Sequence, residues 1–309
     1  TMLRVDQLTK QFGQLTAVDH ISFEVTAGEI FGFLGPNGAG KTTTIQMICS
    51  LLKPDRGAIY FNEQELLPNK RHLRKKLGVV PQEIALYEDL TALDNLTFWG
   101  GLYDLSGKPL HRRIDELLEL FGLSDRAKDP VKTYSGGMKR RLNMAAGMVH
   151  EPELLLLDEP TVGIDPQARY NMLDTVQQIA QKGTTILYTT HYLDEADKLC
   201  DRIAIMDHGK LLATGTKEEL RNIVGENTLI QLMDSSDPAL LNKIKANYPT
   251  VGVEILQNQA VIFTLPPQVG EGEFIEALIR TGFSMNSLQI KEPSLDSVFI
   301  KLTGRELRD

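Results

Sequence analysis

Gly35-Pro36-Asn37-Gly38-Ala39-Gly40-Lys41-Thr42 is the stretch whose reading decides the fold. Its spacing is the G-x-x-x-x-G-K-[ST] of a phosphate-cradling loop. Glycines let the backbone curl so that successive N–H groups point inward at phosphate oxygens. A helix beginning near Lys41 adds the positive end of its dipole. In such a loop Lys41 bridges the β- and γ-phosphates, the Thr42 hydroxyl ligates Mg²⁺, and Thr43 follows in the same turn. The flanks agree with this. Residues 30–34 are a compact apolar run, and residues 41–52 keep helical periodicity until Lys53-Pro54-Asp55 ends it. By average residue frequencies the pattern arises by chance in roughly one chain of this size per hundred, before its flanks are counted. ATP and Mg²⁺ are the expected ligands.

Further along, Leu154-Leu155-Leu156-Leu157-Asp158-Glu159 reads as a buried strand that delivers two carboxylates to its carboxyl end. Alone, two acids after a strand more often cap a helix. Beside a phosphate loop they have a chemical use: Asp158 suits the Mg²⁺ shell, and Glu159 suits a general base for water. Residues 184–190 read as another buried strand, with a helix over residues 166–181 between the two. Strands alternating with helices imply a parallel sheet that binds ligands at the carboxyl ends of its strands. Residues 3–25 read instead as short alternating strands around a turn at Gly13.

Between residues 82 and 150 the texture turns helical. Thr91 is placed to cap a helix that runs to about Tyr103. Pro109 begins another, with apolar Ile114, Leu117, Leu118 and Phe121, and Gly122 closes it. The expectation is a helical subdomain inserted into the α/β core. Its last helix, residues 139–149, follows Tyr134-Ser135-Gly136-Gly137-Met138. A Ser-Gly-Gly turn feeding a helix N-terminus is itself an anion site, so the chain carries two phosphate-binding loops. Taken alone that turn is weak. With Gln82 between the two loops and His191 ending a later strand, the ordered set closely resembles the nucleotide-binding subunit of ABC transporters. The resemblance spans about residues 2–220.

That resemblance implies roles for individual residues. Phe12 is similar to the aromatic that stacks on adenine, where many relatives carry tyrosine. Gly35, Pro36, Asn37, Gly38, Ala39, Gly40, Lys41, Thr42 and Thr43 hold the nucleotide. Gln82 matches the glutamine that reaches Mg²⁺ and water, and His191 matches the switch histidine at the γ-phosphate. Asp165 matches the aspartate of the loop facing a partner subunit. Ser135, Gly136 and Gly137 touch the phosphate of ATP held by the other subunit. Tyr134 and Met138 depart from the commonest signature, LSGGQ, while its serine and both glycines are intact. The functional unit is then a head-to-tail dimer with a second copy or a homologous ATPase subunit. An integral-membrane permease is the further partner, received in a groove around Gln82 and residues 87–99, with Phe98 and Trp99 as candidate lining. His208 reads as a hairpin-turn residue with no catalytic role.

Composition narrows the rest. With 33 Lys and Arg against 41 Asp and Glu, the net charge is −8 and no dense basic run exists, so nucleic acid is not an expected partner. No apolar stretch approaches the ~20 residues that cross a bilayer. No apolar leader pattern opens the sequence, and the expected location is cytoplasmic, peripheral on the cytoplasmic face of the membrane. Cys49 and Cys200 read as buried reduced thiols. From about residue 220 the order becomes strand, helix, strand, strand, helix, strand, the split βαββαβ, ferredoxin-like arrangement, with Glu292-Pro293 as a loop before a terminal helix. The expected fold class is an α/β P-loop core with an inserted helical subdomain (about residues 82–150), followed by a small α+β accessory domain. Its expected bounds are residues 2–219 and 220–309. The tail Ser294-Leu295-Asp296-Ser297-Val298-Phe299 is similar to that of exporter ATPases, so export is the expected direction. The accessory domain reads as a regulatory or dimer-stabilising appendage, with a small-ligand sensor as the alternative. A chromosome-maintenance ATPase would need a long coiled-coil insertion that is absent, and a translation factor would carry two cassettes and a basic linker.

Overall fold

The computed structural model describes residues 1–225, 227–233, 236–256, 260–285, 287–291, 294–305 and 307. They fall into two compact units, Thr1–Thr214 and Gly215–Asp309.

The first unit is built on a six-stranded sheet. Its order is Lys210–Thr216, Arg202–Asp207, Ile30–Leu34, Thr185–Thr190, Leu154–Asp158, Leu77–Val80. The last four are mutually parallel neighbours. Leu154, Leu155, Leu156 and Leu157 are all fully buried, because a parallel strand covered on both faces has no wet side. Four parallel strands therefore end along one edge, and their exit loops share one place.

Residues 3–65 add a separate antiparallel sheet in the order Leu15–Val25, Leu3–Phe12, Arg56–Phe61, Gln64–Glu65. The turn at Gly13 is as expected, with φ at 60°. Alternation buries Leu3 and Val5 on one face of this sheet, and an irregularity between Val5 and Leu8 brings Leu8 into the same core. There Phe23 stacks on Phe31 at 5.5 Å and meets Phe33 edge-on at 4.9 Å.

Three helices, Ala92–Leu102, Gly107–Leu120 and Gly136–Met148, form the helical part. Thr91 caps the first by accepting from the Asp94 N–H at 3.1 Å. The second starts at Gly107, so Pro109 is its third residue and not its first; proline is tolerated there because the N–H groups of a first turn have no helical acceptor. The helix after the phosphate loop spans Lys41–Ile48 and stops short of Lys53-Pro54-Asp55, because Ser50 turns left-handed at φ 59°.

The second unit has the element order Thr228–Leu232, Pro238–Asn247, Gly252–Ile255, Val261–Leu265, Glu271–Thr281, Gln289–Lys291. Its antiparallel sheet runs Gly252–Ile255, Val261–Leu265, Thr228–Leu232, Gln289–Lys291, the strand order of a ferredoxin-like split βαβ. Phe263 and Phe274 meet at 5.3 Å in its core. Helices Lys217–Val224 and Leu295–Thr303 pack together, and Lys301 Nζ donates to the Ile223 carbonyl at 2.7 Å. Glu292-Pro293 lies outside the described residues. Among the described residues no helix is long and apolar enough to cross a membrane.

Candidate nucleotide site

Each of the four parallel strands hands a residue to the shared edge. The loop 35–40 leaves Ile30–Leu34, Asp158 and Glu159 end Leu154–Asp158, His191 follows Thr185–Thr190, and Gln82 follows Leu77–Val80. Lys41 is only 3% exposed. Its ammonium donates to the Gly35 and Pro36 carbonyls at 2.7 and 3.0 Å and pairs with Glu159 Oε1 at 3.0 Å. A buried ammonium needs this much compensation, since an unpaired charge there costs several kcal/mol.

Glu159 is the centre of the arrangement. Its φ of 46° turns the chain sharply off the strand, a left-handed conformation that costs about 1–2 kcal/mol for a residue with a side chain. The Glu159 N–H donates to Thr189 Oγ1 at 3.0 Å, and that hydroxyl donates to Asp158 Oδ1 at 2.8 Å, so one threonine fixes both acids. The second Glu159 oxygen faces His191 Nδ1 at 3.2 Å and accepts from Gln82 Nε2 at 3.4 Å. Thr42 Oγ1 donates to Asp158 Oδ1 at 3.2 Å. Arg140 donates to the Gln82 carbonyl and holds that residue in place.

The two carboxyls are pushed in opposite directions. Burial raises Asp158, and the hydrogen bonds from Thr189 and Thr42 only partly oppose it, while the neighbouring charge of Glu159 adds to it. Burial also works on Glu159, but the His191 hydrogen bond and the Lys41 ammonium outweigh it and hold that carboxyl below its ordinary value. Glu159 is thus kept ionised, as a base must be. Asp158 and Thr42 present adjacent hard oxygens, the donor chemistry of a divalent cation such as Mg²⁺.

A cleft of about 590 Å³ opens over the loop, lined by Phe12, Thr16, Asn37, Lys41, Gln82 and His208 among others. The Phe12 ring is 49% exposed at its mouth, with Lys10 Nζ 5.6 Å from the ring centroid. It is an exposed ring and not a core aromatic. The loop lies close against the chain behind it. Gly40 has φ 105°, and a Cβ there would sit 2.4 Å from the Ala17 carbonyl oxygen.

Two sets of predicted residues stand apart from this cleft. Ser135, Gly136, Gly137 and Asp165 are not among its lining residues. Ser135 caps Gly136–Met148, accepting from the Met138 N–H at 3.3 Å, and Asp165 caps Pro166–Gln181, accepting from Ala168 N–H at 2.9 Å. These two helix starts are neighbours: a Cβ on Gly137 would lie 3.4 Å from the Ala168 methyl. One reading needs enlarging. The His208-Gly209 turn does join two strands, with φ values of 46° and 78°, but it also lines the cleft. The Gly209 N–H donates to the Ala39 carbonyl at 3.0 Å and so backs the phosphate loop. Arg140 and Thr189 join the site through their hydrogen bonds to Gln82, Asp158 and Glu159, and neither role has a sequence spacing of its own.

A glycine loop with a buried lysine at a helix start, facing two carboxylates at the end of a parallel strand one place removed in the sheet, defines a P-loop nucleotide hydrolase. Comparison with known proteins narrows the class. The sequence profile of the ABC transporter family matches residues 18–162. The linearmycin resistance ATP-binding protein of Bacillus subtilis (strain 168) is 44% identical over 100% of both chains. The daunorubicin/doxorubicin resistance ATP-binding protein of Streptomyces peucetius is 38% identical over 98% of this chain and 92% of that one. Among solved structures, an ATP-binding subunit of an ABC transporter superposes with TM-score 0.66 at 34% identity, over 73% of this chain and 94% of that one. An ATP-binding cassette in a dimeric post-hydrolysis state, bound to ADP and phosphate, matches with TM-score 0.63 at 25% identity, over 70% of this chain and 98% of that one. The chain belongs to the ATP-binding subunits of ABC transporters and is an ATPase of that family.

Proposed function

We propose that this chain powers an export system, hydrolysing ATP between two head-to-tail subunits on the cytoplasmic face of a membrane. Several relatives are named for drug resistance or for Nod factor export, and this supports the direction of transport. The observation that carries the chemistry is the Glu159 carboxylate, ionised and held among Lys41, Gln82 and His191 at the mouth of the loop.

In this reading Lys41 and the loop N–H groups bind the β- and γ-phosphates, and Phe12 stacks on adenine. Thr42 and Asp158, with Gln82 beside them, would hold Mg²⁺, which would supply neutralisation of the triphosphate charge. Glu159 takes a proton from the attacking water, and His191 orients that carboxylate and contacts the γ-phosphate. Ser135, Gly136 and Gly137 reach the ATP of the opposite subunit, a second copy or a homologous ATPase. Their absence from the cleft lining of their own chain supports this, as does their place beside the Asp165 cap.

The permease is a separate chain, and its cytoplasmic helices enter the apolar groove of about 410 Å³ that Leu77, Pro81, Trp99 and Tyr103 line. The Trp99 indole N–H is buried without a partner among the described residues, and Phe98 is 40% exposed beside it. In this reading residues 2–219 are the motor and residues 220–309 a regulatory or dimer-stabilising appendage.

Glu159→Gln tests the reading. Turnover should fall by about 10²–10⁴-fold, the scale of a lost general base, while ATP traps the subunit as a dimer visible by size-exclusion chromatography. Wild-type turnover in that variant sinks the assignment.

A further inference from the structure

Glu195 is a fully buried carboxylate, 0% exposed, that none of the steps above employs. It lies on the short helix Leu193–Leu199, four residues past His191. Donors surround it. Thr161 Oγ1 donates to Oε1 at 2.6 Å, and the Arg169 Nε lies 3.5 Å from the same oxygen. Thr190 Oγ1 and Tyr188 Oη donate to Oε2 at 2.6 and 2.9 Å. A buried carboxyl needs such partners, since an unpaired polar group out of water is costly.

The two oxygens divide their partners by origin. Oε1 serves the segment that follows Glu159: Thr161 is two residues past the base, and Arg169 lies in the helix that Asp165 caps. Oε2 serves the strand Thr185–Thr190, which ends at His191. A carboxylate is planar and rigid, so a movement on one side is passed to the other.

The linkage continues from there to the histidine. The Tyr192 N–H donates to Thr190 Oγ1 at 2.9 Å, so the backbone is gripped on both sides of His191. The Arg169 guanidinium lies 4.4 Å from the Tyr192 ring centroid, and that ring lies 4.1 Å from the His191 ring. Arg169 also pairs with Asp194 on the same short helix.

We infer that Glu195 is a positioning residue that bridges the 161–169 segment to His191, so that displacement of the Asp165 loop by a second subunit resets the His191–Glu159 pair. The inference rests on the reading of His191 and Glu159 given above. It assigns Glu195 no contact with nucleotide.

The test is a double-mutant cycle on the full chain, with Glu195→Gln, His191→Ala and the pair together. ATP turnover, affinity for a fluorescent ATP analogue and the melting temperature are measured for each. Glu195→Gln should bind the analogue nearly as tightly as wild type and lose about 10- to 100-fold in kcat, the scale of a misplaced catalytic group. The double variant should be no slower than His191→Ala alone, since Glu195 acts through that residue. Losses that multiply, unchanged turnover in Glu195→Gln, or binding lost in step with turnover overturns the bridge. Wild-type turnover in His191→Ala alone overturns the reading of the site itself, and the bridge with it. Should Glu195→Gln fail to fold, Thr161→Val removes a single donor; its expected loss is ~10-fold in kcat, again non-additive with His191→Ala.

Discussion

Replacing Gly40 by alanine strikes the phosphate loop where it has least room. At its φ of 105° the new Cβ would lie 2.4 Å from the Ala17 carbonyl oxygen and 2.8 Å from the Met206 methyl. The conformation alone costs about 1–2 kcal/mol once a side chain is present. The methyl of Met206 can rotate away; the carbonyl, in the strand Leu15–Val25, cannot. Opening 2.4 Å to the 3.0 Å floor of real contacts displaces the loop by 0.6 Å, the difference of the two. That shift is taken from the N–H groups that face phosphate, and hydrogen bonds lengthened this far lose most of their worth. Together the two effects come to about 3 kcal/mol, or roughly 100-fold in ATP affinity. Gly38 is the internal control: φ is 81°, yet nothing lies within 4 Å of the added carbon. Gly38→Ala should show the backbone penalty only, about 5- to 30-fold. A fluorescent ATP analogue titrated into each variant gives the affinity, and thermal melting gives any part of the penalty that appears as lost stability. Equal combined losses for the two variants, or a larger loss at Gly38, would refute the argument from crowding.

Ser135→Arg should abolish turnover, by about 10²-fold or more, and leave nucleotide binding to the isolated subunit nearly intact; binding lost in parallel would argue against a composite site. Phe12→Ala should weaken ATP by the value of one base–aromatic stack, about 1–3 kcal/mol, with little change in melting because the ring is half exposed. Unchanged affinity in equilibrium titration removes Phe12 from the site. His150, stacked on Tyr103 at 3.6 Å and donating from Nε2 to the Leu77 carbonyl at 3.0 Å, should make stability depend on pH. Burial pushes its imidazole down to about 4, against the bond to Leu77, so the folded chain resists a proton that the unfolded chain accepts near 6.5. Stability is then fully present above about 6.5 and declines as pH falls toward 4, by about 2 kcal/mol after allowance for partial solvent contact. Urea melts at pH 7 and pH 5 measure this, and His150→Gln should flatten the difference; an unchanged slope in that variant assigns the effect elsewhere.

The glycine loop, the strand Leu154–Asp158 and the helix Pro166–Gln181 were legible because each has a strong local signature: fixed glycine spacing, a continuous apolar run, an Asp-Pro start. The ferredoxin-like unit was legible in order, since two strand–helix patterns recur between loop residues. Residues 56–65 went unread as strands. Gly57 and the polar Gln64-Glu65 carry no alternation; Arg56–Phe61 pairs because Leu3–Phe12 offers it an edge, and Gln64-Glu65 pair in turn with Tyr60 and Phe61. The helix after the phosphate loop was read too long for a related reason. Leu51 and Leu52 continue the apolar period, but a left-handed Ser50 takes them out of the helix. In the site, Lys41, Asp158 and Glu159 were found from motif and order. Thr189, Arg140 and Glu195 were not, because residues that orient a catalytic group are specified by three-dimensional proximity and leave no spacing of their own.

The ion pair between Lys41 and Glu159 ties two events into one. In the proposed reaction the lysine that receives an arriving phosphate is the same one that occupies an oxygen of the base. Phosphate oxygens and the Glu159 carboxylate compete for a single ammonium, so each molecule of fuel that docks also takes the safety off the residue that will spend it. The empty subunit thereby holds its base in reserve, and the arrival of the nucleotide is itself the signal that releases it.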